Sequence, residues 1–112
     1  MITRKLSEHT LLVILTEEPG ACQDIAAINE MTADKCDVDI IIDLSRVEML
    51  ASSTVSNLLL LRDRTRADRR KLILYNLAFA TKCILTTLGV HDAFQIVDDK
   101  ADALSSIMTS MN

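Results

Sequence analysis

Short apolar runs alternate along the chain with longer stretches in which apolar residues recur every three or four positions. Apolar runs of about four to eight residues that are rich in Val and Ile predict strands, and the longer period predicts amphipathic helices. The predicted strands cover 2–9, 11–16, 38–44, 71–76 and 94–97. The predicted helices cover 22–35, 52–70, 77–89 and 98–111.

The order of these elements, ββαβαβαβα, indicates the fold class. Strands that alternate with helices pair in parallel through helical crossovers, whereas the first two strands are close enough to form a hairpin. We therefore expect an α/β fold with one mixed β-sheet and four helices. Gly89 is expected to end the third helix. With 112 residues, the chain has the size of one domain, so we predict a single domain over 1–112.

The composition is that of a soluble globular chain, with 49% hydrophobic and 25% charged residues. No apolar run approaches the roughly 18 residues that a membrane span needs. The first residues, MITRKLSEH, also lack the apolar stretch of a secretory leader. We therefore expect a cytoplasmic protein without direct membrane insertion.

Charge and residue counts exclude several kinds of chemistry. A net charge of −4 and an aromatic content of 3% argue against nucleic-acid binding. Two glycines cannot build a glycine-rich phosphate loop, and the cysteines and histidines lack metal-site spacing. We predict no cofactor, no metal and no catalytic residue. The basic run 62–71 is either a solvated helix end or a patch that steers an acidic partner.

A cluster of hydroxyl groups stands where the longest predicted helix begins. Ser52, Ser53 and Thr54 precede the apolar run 58–61. With Ser52 as the N-cap, its hydroxyl would accept a backbone hydrogen bond, which is worth about 1 kcal/mol. The same helix end offers unpaired N–H groups and partial positive charge, so it would also tolerate a phosphoryl group. Ser52 is thus either a structural cap or a phosphoacceptor.

Four consecutive leucines cannot share one helical stripe, because each residue turns the helix by about 100°. Val55, Leu58, Leu59 and Arg62 are predicted to form one face. Leu60 instead falls on the side of the small polar residues, where an exposed leucine would suit a binding surface. The residues predicted to contact a partner are Ala51, Ser53, Thr54, Asn57, Leu60 and Arg64.

The stretch VDIIIDLSRVEMLASSTVSNLLLL, residues 38–61, resembles the signature of the STAS domain, the fold of bacterial anti-sigma factor antagonists. That signature runs from a strand through Asp-Leu-Ser-x-Val to Asp-Ser-Ser-Gly at a helix start. The resemblance extends over roughly residues 10 to 107. It departs from the signature at Ala51, where the family has Asp, and at Thr54, where it has Gly.

The resemblance implies a non-catalytic protein switch. The family's phosphorylated serine falls on Ser52, with Ser53 as the second choice. An anti-sigma factor that is a serine kinase would be the partner, and a phosphatase would reset the switch. The unphosphorylated form would bind the kinase and free the sigma factor, whereas the phosphorylated form would let go. A homodimer is compatible with this interpretation.

Two alternatives remain open. The changes at Ala51 and Thr54 also suit a STAS domain that is not phosphorylated and serves as a scaffold, or as an accessory subunit of a transporter or stress-signalling complex. The other alternative is a receiver phosphorylated on Asp43, with Glu17 and Glu18 holding Mg²⁺. The Lys and Thr that complete a receiver site have no clear places, so we interpret Asp43 as a carboxylate that caps its loop.

Overall fold

The computed structural model describes residues 1–109. Its strands are β1 (Ile2–Ser7), β2 (Thr10–Ile14), β3 (Asp39–Asp43), β4 (Leu72–Tyr75) and β5 (Gln95–Val97). Its helices are α1 (Gly20–Met31), α2 (Ser52–Ala67), α3 (Phe79–Thr87) and α4 (Lys100–Thr109), with a 3₁₀ turn over His91–Ala93. The end of the helix predicted over 98–111 lies outside the described residues.

The five strands form one sheet in the order β1-β2-β3-β4-β5. β1 pairs with β2 as an antiparallel hairpin, and the remaining neighbours are parallel. The predicted fold class, a mixed sheet with four helices in the order ββαβαβαβα, is confirmed. The short 3₁₀ turn is the one element among residues 1–109 that the pattern did not predict.

Alternate residues of β3 supply the core on both sides of the sheet. Ile40 and Ile42 pack with residues of α1, α2 and α3, whereas Ile41 packs with α4 on the opposite face. All three side chains are fully buried. A strand covered on both faces needs apolar residues at every position, which explains the unbroken run of isoleucines. Each such burial stabilises the fold by about 1.5–3 kcal/mol.

The four leucines of α2 divide as the helical geometry requires. Leu58 and Leu61 are fully buried under the sheet, Leu59 is half-buried, and Leu60 is 45% exposed. The exposure predicted for Leu60 is confirmed. Among residues 1–109, no helix combines the length and apolar character that a membrane span requires.

Left-handed residues end two of the helices. α2 ends at Ala67, three residues before the predicted end, because Arg69 has φ 58° and the Arg70 N–H donates back to the Thr65 carbonyl oxygen at 2.7 Å. α3 ends at Thr87 in the same manner, because Gly89, two residues later, has φ 72°. A glycine adopts this conformation without strain, so the predicted cap of the third helix is confirmed.

Candidate functional site

Two helices begin side by side at the carboxyl ends of β3 and β4. α2 starts at Ser52 after the loop that follows β3, and α3 starts at Phe79 after a three-residue loop that follows β4. The loop before α2 contacts the first turn of α3, since the Thr81 hydroxyl donates to the Glu48 carbonyl oxygen at 3.5 Å. The hydroxyl cluster predicted from the sequence therefore lies at an edge of the sheet where two helix N-termini meet.

The N-cap of α2 is Ala51, so the prediction that Ser52 caps the helix is wrong by one residue. Ala51 has extended backbone angles, φ −75° and ψ 152°, and its carbonyl oxygen accepts the first helical hydrogen bonds, from Thr54 N–H and Val55 N–H. Ser52 is the first helical residue, and its hydroxyl makes no hydrogen bond with residues 1–109. Its exposed hydroxyl is thus not committed to holding the helix start.

A carboxylate from another loop takes the place of the missing cap. Oε2 of Glu18, in the turn between β2 and α1, accepts hydrogen bonds from Ala51 N–H at 2.7 Å and from the Thr54 hydroxyl at 2.6 Å. Its Oε1 accepts from Cys22 N–H at 3.1 Å in the first turn of α1. One carboxylate therefore joins two helix N-termini, where partial positive charge favours an anion. The negative charge that Ala51 lacks comes from Glu18.

The prediction that Thr54 contacts a partner is corrected by its burial. Its side chain has no exposed surface, and its hydroxyl points at Glu18. A β-branched residue at this position therefore does not stand between a partner and the exposed serines. Thr54 fixes the helix start from the inside.

The other predicted contact residues differ in how much surface they offer. Ala51, Ser53 and Leu60 are exposed, whereas Asn57 and Arg64 are half-buried. The Asn57 amide points towards α1 and donates to the Cys22 carbonyl oxygen at 3.4 Å. The side of α2 that carries Asn57 is thus partly covered by α1, and the open surface concentrates at the helix start.

Two exposed apolar side chains flank the helix start, and the sequence analysis missed both. Phe79 is 81% exposed at the first position of α3, and Met49 is 54% exposed three residues before Ser52. A cleft of about 510 Å³ beside Met49 is lined by Glu17, Glu18 and Glu48. The sequence contains one signal for Phe79. It is one of only two phenylalanines, and it directly follows Asn-Leu-Ala, where the preceding strand ends.

Asp43 caps the loop after β3, as the sequence analysis preferred. Its carboxylate accepts hydrogen bonds from Ser45 N–H at 2.8 Å, the Tyr75 hydroxyl at 3.1 Å and the Asn76 amide at 3.4 Å. Burial works to raise the pKa of Asp43, but these hydrogen bonds outweigh it and hold the pKa below its ordinary value of 3.8. Burial, together with the neighbouring carboxylate, raises the pKa of Tyr75 to about 12.

We expect Asp43→Asn to destabilise the protein by about 1–2 kcal/mol at neutral pH, because three donors lose a charged acceptor. Because folding lowers this pKa, the associated stability is fully present above 3.8 and is lost as the pH falls through the lower folded value. Urea unfolding from about pH 7 to pH 2.5 measures this. A difference from the parent protein that stays constant across that range would contradict the capping role.

A family model of the STAS domain matches residues 3–103. Because this match covers most of the chain, the protein belongs to the STAS domain family. The N-terminal hairpin and the parallel crossovers of the sheet are thus the fold of that family. No curated protein sequence matches the chain at a significant level.

Solved structures resemble this chain over nearly its whole length. RsbS from Moorella thermoacetica, as a serine-to-glutamate variant, has a TM-score of 0.80 at 13% identity and covers 98% of this chain and 96% of its own. The anti-sigma factor antagonist SpoIIAA, unphosphorylated, has 0.78 at 17% identity and covers 96% of each chain. Phosphorylated SpoIIAA of Bacillus has 0.70 at 16% identity and covers 95% of this chain and 97% of its own. These likenesses establish a shared fold.

Proposed function

We propose that this STAS domain is an anti-sigma factor antagonist, a non-catalytic binding module that is controlled by phosphorylation of Ser52. Its partner is an anti-sigma factor that is also a serine kinase, and a phosphatase removes the phosphoryl group. The unphosphorylated form captures the kinase and so releases a sigma factor for transcription. The proposal places the protein in the bacterial cytoplasm.

The observation that carries this proposal is the position of Ser52. Ser52 is exposed at the first turn of α2, and it aligns with the phosphorylated serine of the family signature. Among residues 1–109, the N–H groups of Ser52 and Ser53 have no hydrogen-bond acceptor. These donors and the helix dipole would accommodate a phosphoryl group without disturbing the fold. Ser53, equally exposed, is the second choice.

The surroundings of Ser52 support a protein–protein contact. Exposed Met49 and Phe79 lie at the same edge of the sheet, and buried apolar side chains at the centre of an interface contribute much of its affinity. The neighbouring cleft carries three glutamates and one arginine, Arg46, which suits a partner with basic side chains at its rim. Ala51, Ser53 and Leu60 extend this surface along α2.

A phosphoryl group at this surface would act on the partner, not on the fold. It carries about −1.5 to −2 charges at neutral pH, beside an apolar contact and an acidic cleft. A partner that docks there would have to bury this dianion or leave it unpaired, which weakens binding by several kcal/mol. Release of the partner therefore needs no unfolding of α2.

The direct functional test is displacement of a sigma factor. A complex of sigma factor and anti-sigma kinase from the same genome is mixed with the protein, and the free sigma factor is followed by size-exclusion chromatography. We expect release with the parent protein and with Ser52→Ala, and none after phosphorylation. Absence of release at concentrations that exceed the complex about 100-fold would contradict antagonist function.

We expect Phe79→Ala to weaken kinase binding about 10- to 100-fold, because truncation removes the largest apolar contact of the surface. Stability should change by less than about 0.5 kcal/mol, since the ring is already solvated. Leu88→Ala, at the far end of α3 and also exposed, is the matched control. Equal affinities of the two variants, measured by calorimetry, would place the contact elsewhere.

A second candidate function is a STAS scaffold or accessory subunit that is not phosphorylated, in a transporter or stress-signalling complex. The observation that favours it is the altered signature at Ala51 and Thr54. The change at Thr54 supports a scaffold less strongly than the change at Ala51. The Thr54 side chain is buried, so it does not alter the exposed surface beside Ser52. The scaffold would bind its partner equally well with Ser52→Ala and Ser52→Asp.

A further inference from the structure

Basic side chains line a second cleft at the end of α2 that is remote from Ser52. Leu72 and Gln95, the first residues of β4 and β5, form part of its wall. Fourteen residues separate Ser52 from Arg66 along α2, which at 1.5 Å per residue is about 21 Å. The cleft therefore belongs to a different surface from the proposed kinase site, and a ligand bound in it does not depend on the proposed function.

Three arginines line this cleft of about 200 Å³: Arg62, Arg66 and Arg70. Lys71 also borders the cleft, but its ammonium group lies against α4, on the opposite face of the sheet from α2. Among residues 1–109, no acidic residue lines the cleft. The contrast is clear with the larger cleft beside Met49, which is lined by three glutamates. A small concave site with several cations and no carboxylate attracts anions strongly, because each cation adds to the potential at the same point.

The cations are poorly neutralised within the described part of the chain. Arg62 contacts the exposed Asp63 at 3.0 Å, but no carboxylate of residues 1–109 lies within 4 Å of the guanidinium group of Arg66 or Arg70. Lys71 Nζ donates to the Ser106 carbonyl oxygen at 3.0 Å, which is a neutral acceptor. Among residues 1–109, Arg66 and Arg70 therefore keep two positive charges at the cleft without an ion-pair partner at neutral pH.

The second acidic residue of the basic run is engaged elsewhere. The Asp68 carboxylate accepts a hydrogen bond from Cys36 N–H at 2.7 Å, in the segment that follows α1. In addition, Nε of Arg62 is buried and has no hydrogen-bond partner among the described residues. The arginines of this cleft thus retain donors that neither acidic residue of the run uses.

The helix dipole explains only part of this concentration. Cations in the last turn of a helix are stabilised by up to about 1 kcal/mol, and Arg64 and Arg66 hold such positions. However, the ten residues 62–71 hold six of the twelve lysines and arginines of a chain whose net charge is −4. Arg70 lies beyond the last turn and still lines the cleft. A solvated helix end does not require this convergence.

We propose that this cleft binds a compact polyanion that carries two adjacent phosphate groups. Arginine matches phosphate because its planar fork forms paired, charge-assisted hydrogen bonds, and three arginines can engage two groups at once. The volume admits a diphosphate moiety, and the negative charge of such a group would meet three arginines in the cleft. The same chemistry occurs in soluble diphosphates and in phosphate-bearing lipid headgroups.

The test titrates pyrophosphate into the ¹⁵N-labelled full chain at low ionic strength. We expect saturable shifts of the amides of Thr65, Leu72 and Gln95, without shifts at Ser52, and an affinity that falls as salt is added. Arg66→Ser with Arg70→Ser should weaken binding at least about tenfold. The matched control removes Arg4 and Arg46, exposed arginines outside the cleft, and should leave the affinity unchanged.

A parallel arm distinguishes the two sources of phosphate. Vesicles of phosphatidylcholine that also contain a polyprenyl diphosphate, a lipid with two adjacent phosphate groups, are sedimented with the protein, with and without pyrophosphate. If the protein sediments with the vesicles and pyrophosphate reverses this, the ligand is a lipid headgroup. If the protein binds pyrophosphate but does not sediment with the vesicles, the ligand is a soluble diphosphate. No saturable shift with about 5 mM pyrophosphate, or equal weakening in both double variants, would overturn the proposal. Since the titration and the sedimentation both use the parent chain, the test does not depend on a variant that folds.

Discussion

Ser52→Asp is expected to bind the kinase with an affinity at least about 30-fold lower than that of the parent protein, a loss of roughly 2 kcal/mol. Ser52→Ala is expected to bind like the parent protein. The aspartate puts a charge at the exposed first turn of α2, on the surface where we propose that Met49 and Phe79 contact the partner. A carboxylate buried there without a cation would keep its full desolvation cost. The fold should not suffer, because an acidic residue in the first turn suits the helix dipole.

Calorimetric titration of the kinase with each variant measures this difference. Thr3→Asp, an equal charge change on the exposed face of edge strand β1, is the control and should bind normally. Equal binding of Ser52→Asp and Ser52→Ala would contradict the switch and favour the scaffold alternative. Weaker binding of Thr3→Asp would show instead that overall charge, not position, controls the affinity.

Glu18→Ala is expected to destabilise the protein by about 2–4 kcal/mol, the largest stability effect we predict for a residue outside the core. Its carboxylate holds Ala51 N–H, Cys22 N–H and the Thr54 hydroxyl, and the last of these is fully buried. Alanine leaves that hydroxyl without a charged acceptor and detaches the first turn of α1 from that of α2. Because the start of α2 presents Ser52, kinase binding should weaken as well.

Urea unfolding of Glu18→Ala beside Glu17→Ala provides the comparison. Glu17 precedes it in the chain, is exposed, and its side chain has no hydrogen-bond partner among residues 1–109, so its loss should cost less than about 0.5 kcal/mol. Combining Glu18→Ala with Thr54→Val should cost less than the sum of the single changes, because both remove the same hydrogen bond. Additive costs would mean that the contact does not stabilise the fold.

The fold was predictable because each element has a local pattern of its own. The apolar run around Ile41 can be buried only as a central strand, and a single glycine, Gly89, is enough to predict the left-handed turn after α3. The end of α2 was harder to predict from the sequence, since Arg69 adopts φ 58° at a position where glycine usually signals such a turn. The split of the leucine run followed from helical geometry alone, and the exposure of Leu60 agrees with it.

The candidate site was only half predictable, because its decisive contacts join distant parts of the chain. The hydroxyl cluster marks the start of α2, and the family signature points at Ser52. Nothing near position 51 indicates that Glu18, more than thirty residues earlier, supplies the carboxylate at this helix start. The inward direction of Thr54 follows from that same contact. The exposure of Phe79 depends on how α3 packs against the sheet, and the residues of α3 alone do not predict that packing.

Phosphorylation mapping tests the central claim most directly. The protein is incubated with an anti-sigma serine kinase from the same genome and ATP, and the modified peptide is sequenced by mass spectrometry, with Ser52→Ala and Ser53→Ala in parallel. We expect one phosphoryl group on Ser52, present in Ser53→Ala and lost in Ser52→Ala. An unmodified protein, or a label that persists in Ser52→Ala, would contradict the assignment of the exposed hydroxyl at the start of α2 as the switch.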